Sequence, residues 1–417
     1  MRRLLLLLLC LLLPAAGRAA TRFHLVRVVV TGSTRYSQDD VTRASGLVIN
    51  AQVSQDDLQA AANRLGTSGA FASVEFLFKM VAGTRDGVEA DFTVKDAAKS
   101  LPAVFENFVW LSDADLRQAL HQALPLYDGS LPLSGTMADD LKAALVRMQT
   151  EKGLPADVSY NLFAEMGQPP SAYKFKLENA NIKIRDFRFS GAGHLSPELL
   201  AKAVSAAKGG DYLRSETEKM LSLTVPQLYR EHGYLKMALA EVRPALEDGA
   251  VVVNVAVTEG DQYRLAGFSW LGNTLISSDD LSKIITLKPG EPVNASKLDS
   301  DLAQARKLFR KFGHESAYIL AKPAFAENNV TYTFEVKEGD LYRMGKLEIE
   351  GLDAENTRQL IQAWKLSPGS PYDDTYLRQF LTHAVVRIPG RRWEWLVAER
   401  LDEPQKTVNV HLQLKIE

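Results

Sequence analysis

The sequence predicts an α+β protein, a tandem array of β-α-α-β-β domains, each a small three-stranded mixed sheet with two helices on one face. Three observations carry that reading. Val257-Thr258-Glu259-Gly260 returns as Val336-Lys337-Glu338-Gly339, and at the same offset Tyr263-Arg264 returns as Tyr342-Arg343 and Gly272 as Gly351. Glycines fall on a second ruler: the step from Gly272 to Gly290 equals that from Gly351 to Gly369, and the step from Gly290 to Gly313 equals that from Gly46 to Gly69. Between those marks the apolar period switches from helical to alternating, as one supersecondary unit per repeat requires.

Elements follow in chain order. Arg2 and Arg3 precede an apolar run from Leu4 to Ala16, then Gly17-Arg18-Ala19-Ala20. As a helix the run would extend about 20 Å, short of a hydrocarbon core of about 30 Å. Residues 1–20 therefore read as a secretory signal peptide cleaved after Ala19, an uncleaved anchor being the alternative. Cys10 is the single cysteine and follows Leu9, not the small residue a lipidation site wants. The mature chain then has no disulfide, thiolate metal site or cysteine nucleophile.

The first unit, residues 21–98, has a strand at 25–30, helices near 37–45 and 54–67, and a turn at Arg85-Asp86-Gly87. The second, 99–179, opens on an apolar stretch at 101–109. Its second helix shows Met137, Leu141, Leu145 and Met148 on one face, and its hairpin turn holds Gly167-Gln168-Pro169-Pro170. The third, 180–260, has a strand at 184–189, helices near 197–207 and 215–232, and a turn at Glu247-Asp248-Gly249. Its Pro226 predicts a kink or a late helix start, because proline lacks the N–H and clashes with the preceding turn.

The fourth unit, 261–339, is the clearest. A strand at 265–270 ends at Gly272-Asn273, a pair tolerant of positive φ. Ser277 is placed to cap a helix carrying Leu281, Ile284 and Ile285, which Pro289-Gly290 stops. Leu298, Leu302, Ala305, Phe309 and Phe312 form one apolar stripe up to Gly313. Strands at 316–324 and 330–336 flank Glu327-Asn328-Asn329. In the fifth unit, 340–417, Arg387 to Arg392 stand where the helix-ending glycine should be, with strands at 393–399 and 407–416. Glu417 is the counterpart of Glu338, so the sequence reads as a leader and five units.

A unit of this order, with Gly272-Asn273 early, Pro289-Gly290 between helices, Gly233-Tyr234 after the second helix and a closing Val-x-Glu-Gly, resembles the POTRA domain. Five such units behind a leader resemble the periplasmic arm of the outer-membrane β-barrel assembly factor family (BamA-like). That resemblance implies a periplasmic protein associated with the outer membrane, which binds unfolded outer-membrane proteins or envelope assembly proteins. In the family a membrane barrel of at least eight strands follows the last unit. None is expected before Glu417, so only the arm's roles carry over.

The residues themselves offer a binding route. In a three-stranded sheet the strand after the second helix should lie at an edge, where unpaired N–H and C=O groups can template an extended polypeptide. The candidate edges are 236–244 (Lys236, Ala238, Ala240, Val242) and 316–323 (Ser316, Tyr318, Leu320, Lys322), each ending at a proline, Pro244 or Pro323. The alternative is a solvated edge whose proline guards against aggregation. Tyr263-Arg264 and Tyr342-Arg343 lie at unit junctions and read as linkage residues. Arg391, Arg392, Trp393 and Trp395 are a candidate contact of the terminal unit with a partner or membrane interface; packing of both rings under the helices is the competing reading.

Composition narrows the function class. Apolar residues at 46% and charged residues at 24% describe a globular chain. A net charge of −2 without a basic block argues against nucleic acid. Ser171-x-x-Lys174 and Ser205-x-x-Lys208 lack companion catalytic strings, and His232 and His314 suit helix C-termini better than a metal. A non-catalytic protein with no cofactor is expected, with at most peripheral membrane contact. The leading function is a polypeptide-binding scaffold for outer-membrane protein transport or assembly. The alternatives are a structural bridge between envelope complexes and an arm for a barrel supplied by a separate chain.

Overall fold

A computed structural model describes residues 21–383 and 393–416. The predicted leader, Arg391 and Arg392 lie outside the described residues. Two compact units emerge, one of Met1–Asp186 with Gly209–Thr217 and Pro244–Val252, the other of Phe187–Lys208, Glu218–Arg243 and Val253–Glu417.

The first unit contains two complete sheets. β1 (Arg22–Thr31), α1 (Gln38–Ser45), β2 (Gln52–Ser54), α2 (Gln55–Thr67), β3 (Phe71–Met80) and β4 (Gly87–Asp96) form a sheet of order β2-β1-β4-β3. β5 (Ser100–Phe105), α3 (Asp113–Ala123), β6 (Ser130–Pro132), α4 (Met137–Glu151), β7 (Val158–Phe163) and β8 (Ala172–Leu177) repeat it as β6-β5-β8-β7. These sheets have four strands rather than three, because the linker between the helices adds β2 and β6 beside the first strand. Their apolar cores are continuous, running from Leu25 and Phe92 through to Leu120 and Phe175. The boundary near residue 98 thus separates sheets but not cores.

A third sheet has the order β10-β11-β9, with β9 (Ile184–Ser190), β10 (Ala238–Glu247) and β11 (Ala250–Thr258). Its helices are α5 (Pro197–Ala203) and α6 (Arg214–Glu231). α6 starts at Arg214 and runs through Pro226, so the helix does not start late. Leu221, Val225 and Tyr229, all fully buried, hold that helix against its core. Burial of that stripe outweighs the one backbone bond that proline forfeits.

The second unit also contains two complete three-stranded sheets. β12 (Arg264–Leu271), α7 (Ser278–Ser282), α8 (Ala295–Lys311), β13 (Tyr318–Ala326) and β14 (Asn329–Lys337) give β12-β14-β13. β15 (Arg343–Glu350), α9 (Ala354–Ala363), α10 (Asp374–His383), β16 (Trp393–Asp402) and β17 (Thr407–Ile416) give β15-β17-β16. In each the first strand pairs parallel with the last and the middle strand antiparallel with it. Ser277 caps α7, its side chain accepting from the Asp280 N–H at 3.1 Å. Leu298, Leu302, Ala305 and Phe309 are buried, but Phe312 is 47% exposed. α8 stops at Lys311, so the chain turns before Phe312 can join the stripe.

A carboxylate closes three of the repeats. Glu259 at the end of β11 accepts from the Gly193 N–H (3.0 Å), the His194 N–H (3.1 Å) and the Tyr229 hydroxyl (2.8 Å). Glu338 accepts from the N–H groups of Thr274 (2.6 Å) and Leu275 (2.7 Å). Asp96 does the same for Thr34 (2.9 Å) and Arg35 (3.1 Å). The recurring Val-x-Glu-Gly therefore fastens the loop after the first strand to the end of the last. Gly272, at φ +84°, lets that loop pass so close that a Cβ would press on the Val336 carbonyl.

Burial pushes Glu259 up, but the donors from Tyr229, His194 and Gly193 outweigh it and hold its carboxyl below the ordinary value of 4.5. The clamp therefore stabilises the third repeat above that value and is lost as pH falls through the depressed one. Glu259→Gln should reduce native-state hydrogen-exchange protection around Gly193 and Val257 at pH 7 by about 1.5–3 kcal/mol. The difference from wild type should shrink at pH 3.

Candidate binding edges and the joints between repeats

Each of the five sheets places the strand that follows the second helix at one end of its order: β3, β7, β10, β13 and β16. The opposite edge is partly covered. β2 and β6 pair with it in the first two repeats, and single bridges Lys183↔Asp211, Arg264↔Pro292 and Arg343↔Pro371 do so in the other three. Unpaired backbone is thus concentrated along one side of each sheet.

β13 shows which groups face outward. Ala326 and Asn329 flank a two-residue turn in register, so they form a hydrogen-bonded pair. Alternating from there, the backbone of Phe325, Pro323, Ala321 and Ile319 faces away from β14. Pro323 does not end the strand, which continues to Ala326. Its absent N–H falls on the outer side and interrupts no ladder bond. Pro244, its counterpart one repeat earlier, also lies inside its strand, β10.

Of the sequence-selected residues, Ala238, Ala240 and Val242 lie on β10, the strand at one end of its sheet's order. Tyr318, Leu320 and Lys322 belong to the inward set of β13. Their side chains instead line the face away from the helices, since Leu320 stands opposite Glu335 while Ile319 stands opposite buried Val336. Tyr318 (45% exposed) and Leu320 (48%) form an apolar strip beside the edge, and Lys322 pairs with Glu335 at 2.5 Å. Ser316 precedes the strand, packed under Gly339. Sequence reasoning missed Ile319 and Ala321, because the parity of a ladder is visible only once the turn register is fixed.

Joints between repeats use the recurring tyrosines. The Tyr263 N–H donates to the Gly233 carbonyl (2.8 Å), and the Tyr263 carbonyl accepts from Val293 (3.0 Å). Tyr342 repeats both bonds, to Gly313 (2.8 Å) and from Tyr372 (3.0 Å). Both rings are buried. Lys236 sits at the first of these joints, its ammonium 4.2 Å from the Phe325 ring centre and 5.1 Å from that of Tyr263. Arg264 and Arg343 act inside their own repeats, donating to the carbonyls of Gly290 (2.9 Å) and Gly369 (2.8 Å).

In the terminal repeat Trp393 pairs with Ile416 and Trp395 with Leu414 across β16 and β17. Trp395 stands opposite buried Leu414, which puts its ring on the face that carries the core, yet it is 45% exposed, and its neighbour Leu396 is 66% exposed. Lys174 is engaged by Glu106 (3.3 Å) and the Phe163 ring (3.8 Å), so it does not serve Ser171 as a base. Among the described residues no group of three or more His, Cys, Asp or Glu side chains is placed to hold a metal. No helix among them is long and apolar enough to cross a membrane.

Residues 263–339 match the POTRA family, described as surface antigen variable number repeat. The outer membrane protein assembly factor BamA of Nitratidesulfovibrio vulgaris is 18% identical over 346 residues, spanning 79% of this chain and 43% of the relative. A putative outer membrane protein assembly factor of Treponema pallidum is 24% identical over 187 residues, spanning 42% and 22%. The chain thus spans less than half the length of these curated relatives. Among solved structures, POTRA3-5 of Haemophilus influenzae BamA aligns with a TM-score of 0.44 at 20% identity, over 56% of this chain and 96% of that one. The N-terminal domain of Omp85 from Thermosynechococcus elongatus aligns at 0.20 and 15% identity, over 77% and 100%. The fourth repeat thus carries a POTRA domain, the strand after the second helix ends the order of each of the five sheets, and the chain is similar in sequence to outer membrane protein assembly factors.

Proposed function

We propose that this protein is a non-catalytic scaffold of the periplasm, associated with the outer membrane, which holds extended segments of outer-membrane proteins during their transport or assembly. The observation that carries the reading is the open edge of β13, with outward backbone groups at Ile319, Ala321 and Phe325 and the strip of Tyr318 and Leu320 beside it. Both curated relatives are named as outer-membrane assembly factors, which supports the same direction. Main-chain bonding is indifferent to most of a client's sequence, while the strip favours apolar residues at alternate positions. β10 offers a second such edge through Ala238, Ala240 and Val242.

In this reading the five domains are residues 21–98, 99–179, 180–260, 261–339 and 340–417 behind a cleaved leader. Tyr263 and Tyr342 link neighbours, and Trp395, with Arg391 and Arg392 close in sequence, meets a partner at the terminal domain. The paired backbone bonds at each tyrosine joint also suit a bridge between envelope complexes. An unfolded barrel strand separates the two readings, because a bridge has no affinity for it.

Ala321→Pro tests the edge. It deletes one outward N–H and leaves the β13–β14 ladder intact, as Pro323 already does. Binding of a ten-residue peptide with alternating apolar residues should weaken about tenfold, with the melting profile retained. Unchanged binding in the folded variant would refute strand addition at β13.

A further inference from the structure

The joint between the fourth and fifth repeats encloses a carboxylate that edge binding does not use. Glu315, three residues before β13, has a side chain only 12% exposed. Arg310 of α8 lies with Nε 3.3 Å from Glu315 and Nη2 2.5 Å from Asp374, the first residue of α10 in the next repeat. Asp374 is 19% exposed. One guanidinium therefore serves two carboxylates from adjoining repeats. One oxygen of each, Glu315 Oε1 and Asp374 Oδ1, is buried without a hydrogen-bond partner among the described residues. From β16, Glu399 adds a third negative charge near Glu315 and is bonded by the Tyr372 hydroxyl. His314 turns away, toward the Gly339 carbonyl at 3.2 Å.

One repeat earlier the same places are apolar. Leu235 stands two residues after Gly233, as Glu315 does after Gly313, and packs on the core that includes Tyr263. Ala295, the counterpart of Asp374 at the same repeat offset, is buried. An apolar pair closes such a joint without help, whereas two buried carboxylates sharing one cation leave excess charge out of water.

We propose that the joint between the fourth and fifth repeats is proton-operated, docked while Glu315 is neutral and loosened when Glu315, Asp374 and Glu399 are all charged around Arg310. Burial and the charge of Asp374 outweigh Arg310 and push Glu315 from its ordinary 4.5 up to about 7. Undocking returns that carboxyl to water and to its ordinary value. The docked form therefore binds more protons between those limits. Docking is fully favoured below 4.5 and is lost as pH rises through about 7, changing by up to about tenfold per pH unit between them. This behaviour requires no client and stands apart from strand addition.

Pulsed electron spin resonance on the full chain tests it, with Cys10→Ser removing the one native thiol and labels at Lys307→Cys and Gln359→Cys. The inter-label distance should be narrowly distributed at pH 5.5 and broad at pH 8.5, whereas Glu315→Gln should stay narrow at both. Asp374→Asn should likewise blunt the response and serves if Glu315→Gln does not fold. A distribution that ignores pH in the parent, or a full pH response retained in Glu315→Gln, would overturn the proposal.

Discussion

Every backbone N–H and C=O must find a partner or face water, and a sheet of three or four strands with helices on one face cannot pair all of them. This chain closes one edge with its own inter-helix linker, as short strands at Gln52–Ser54 and Ser130–Pro132 and as single bridges in the later repeats. Among the described residues the other edge remains open in each of the five sheets. On β13 its protection is local: Pro323 removes one outward donor and leaves the neighbouring ones available. In the proposed function, binding would follow from the fold itself, at the side where the architecture runs out of partners.

Carboxylates take two opposite roles in the same framework. Glu259, Glu338 and Asp96 are met by backbone N–H groups, and those donors hold them ionised despite their surroundings. Glu315 is also withdrawn from water, and that burial, with the charge of Asp374, raises its carboxyl against the pull of the shared Arg310 guanidinium. Burial pushes both kinds of carboxylate up, and the supply of donors decides whether that push is overcome. The first arrangement closes a repeat, and the second lies across a boundary between repeats.

Much of the repeat was legible in the sequence because it depends on local chemistry. Ser277 caps its helix, Leu298 to Phe309 form the buried stripe, and Gly272 takes the left-handed turn, each marked by residue type and spacing. What escaped depends on tertiary register or competition. Phe312 continues the helical spacing yet is exposed, since the helix ends one residue earlier and the chain turns. Pro323 reads as a terminator until the register shows that its missing donor points outward. Pro226 allows a late helix start until Leu221, Val225 and Tyr229 are seen buried along one helix from Arg214. The shared core of the first two repeats and the meeting of Glu315 with Asp374 join segments that carry no common motif.

Strand addition at β13 is read most directly by amide hydrogen exchange resolved at single residues. In the free protein the N–H groups of Ile319 and Ala321 should exchange quickly while those of Leu320 and Lys322, bonded to β14, exchange slowly. Adding an unfolded outer-membrane barrel protein should slow Ile319 and Ala321 selectively. Slow exchange at Ile319 and Ala321 in the free chain, or protection confined to the helices, would contradict an open edge that receives another chain.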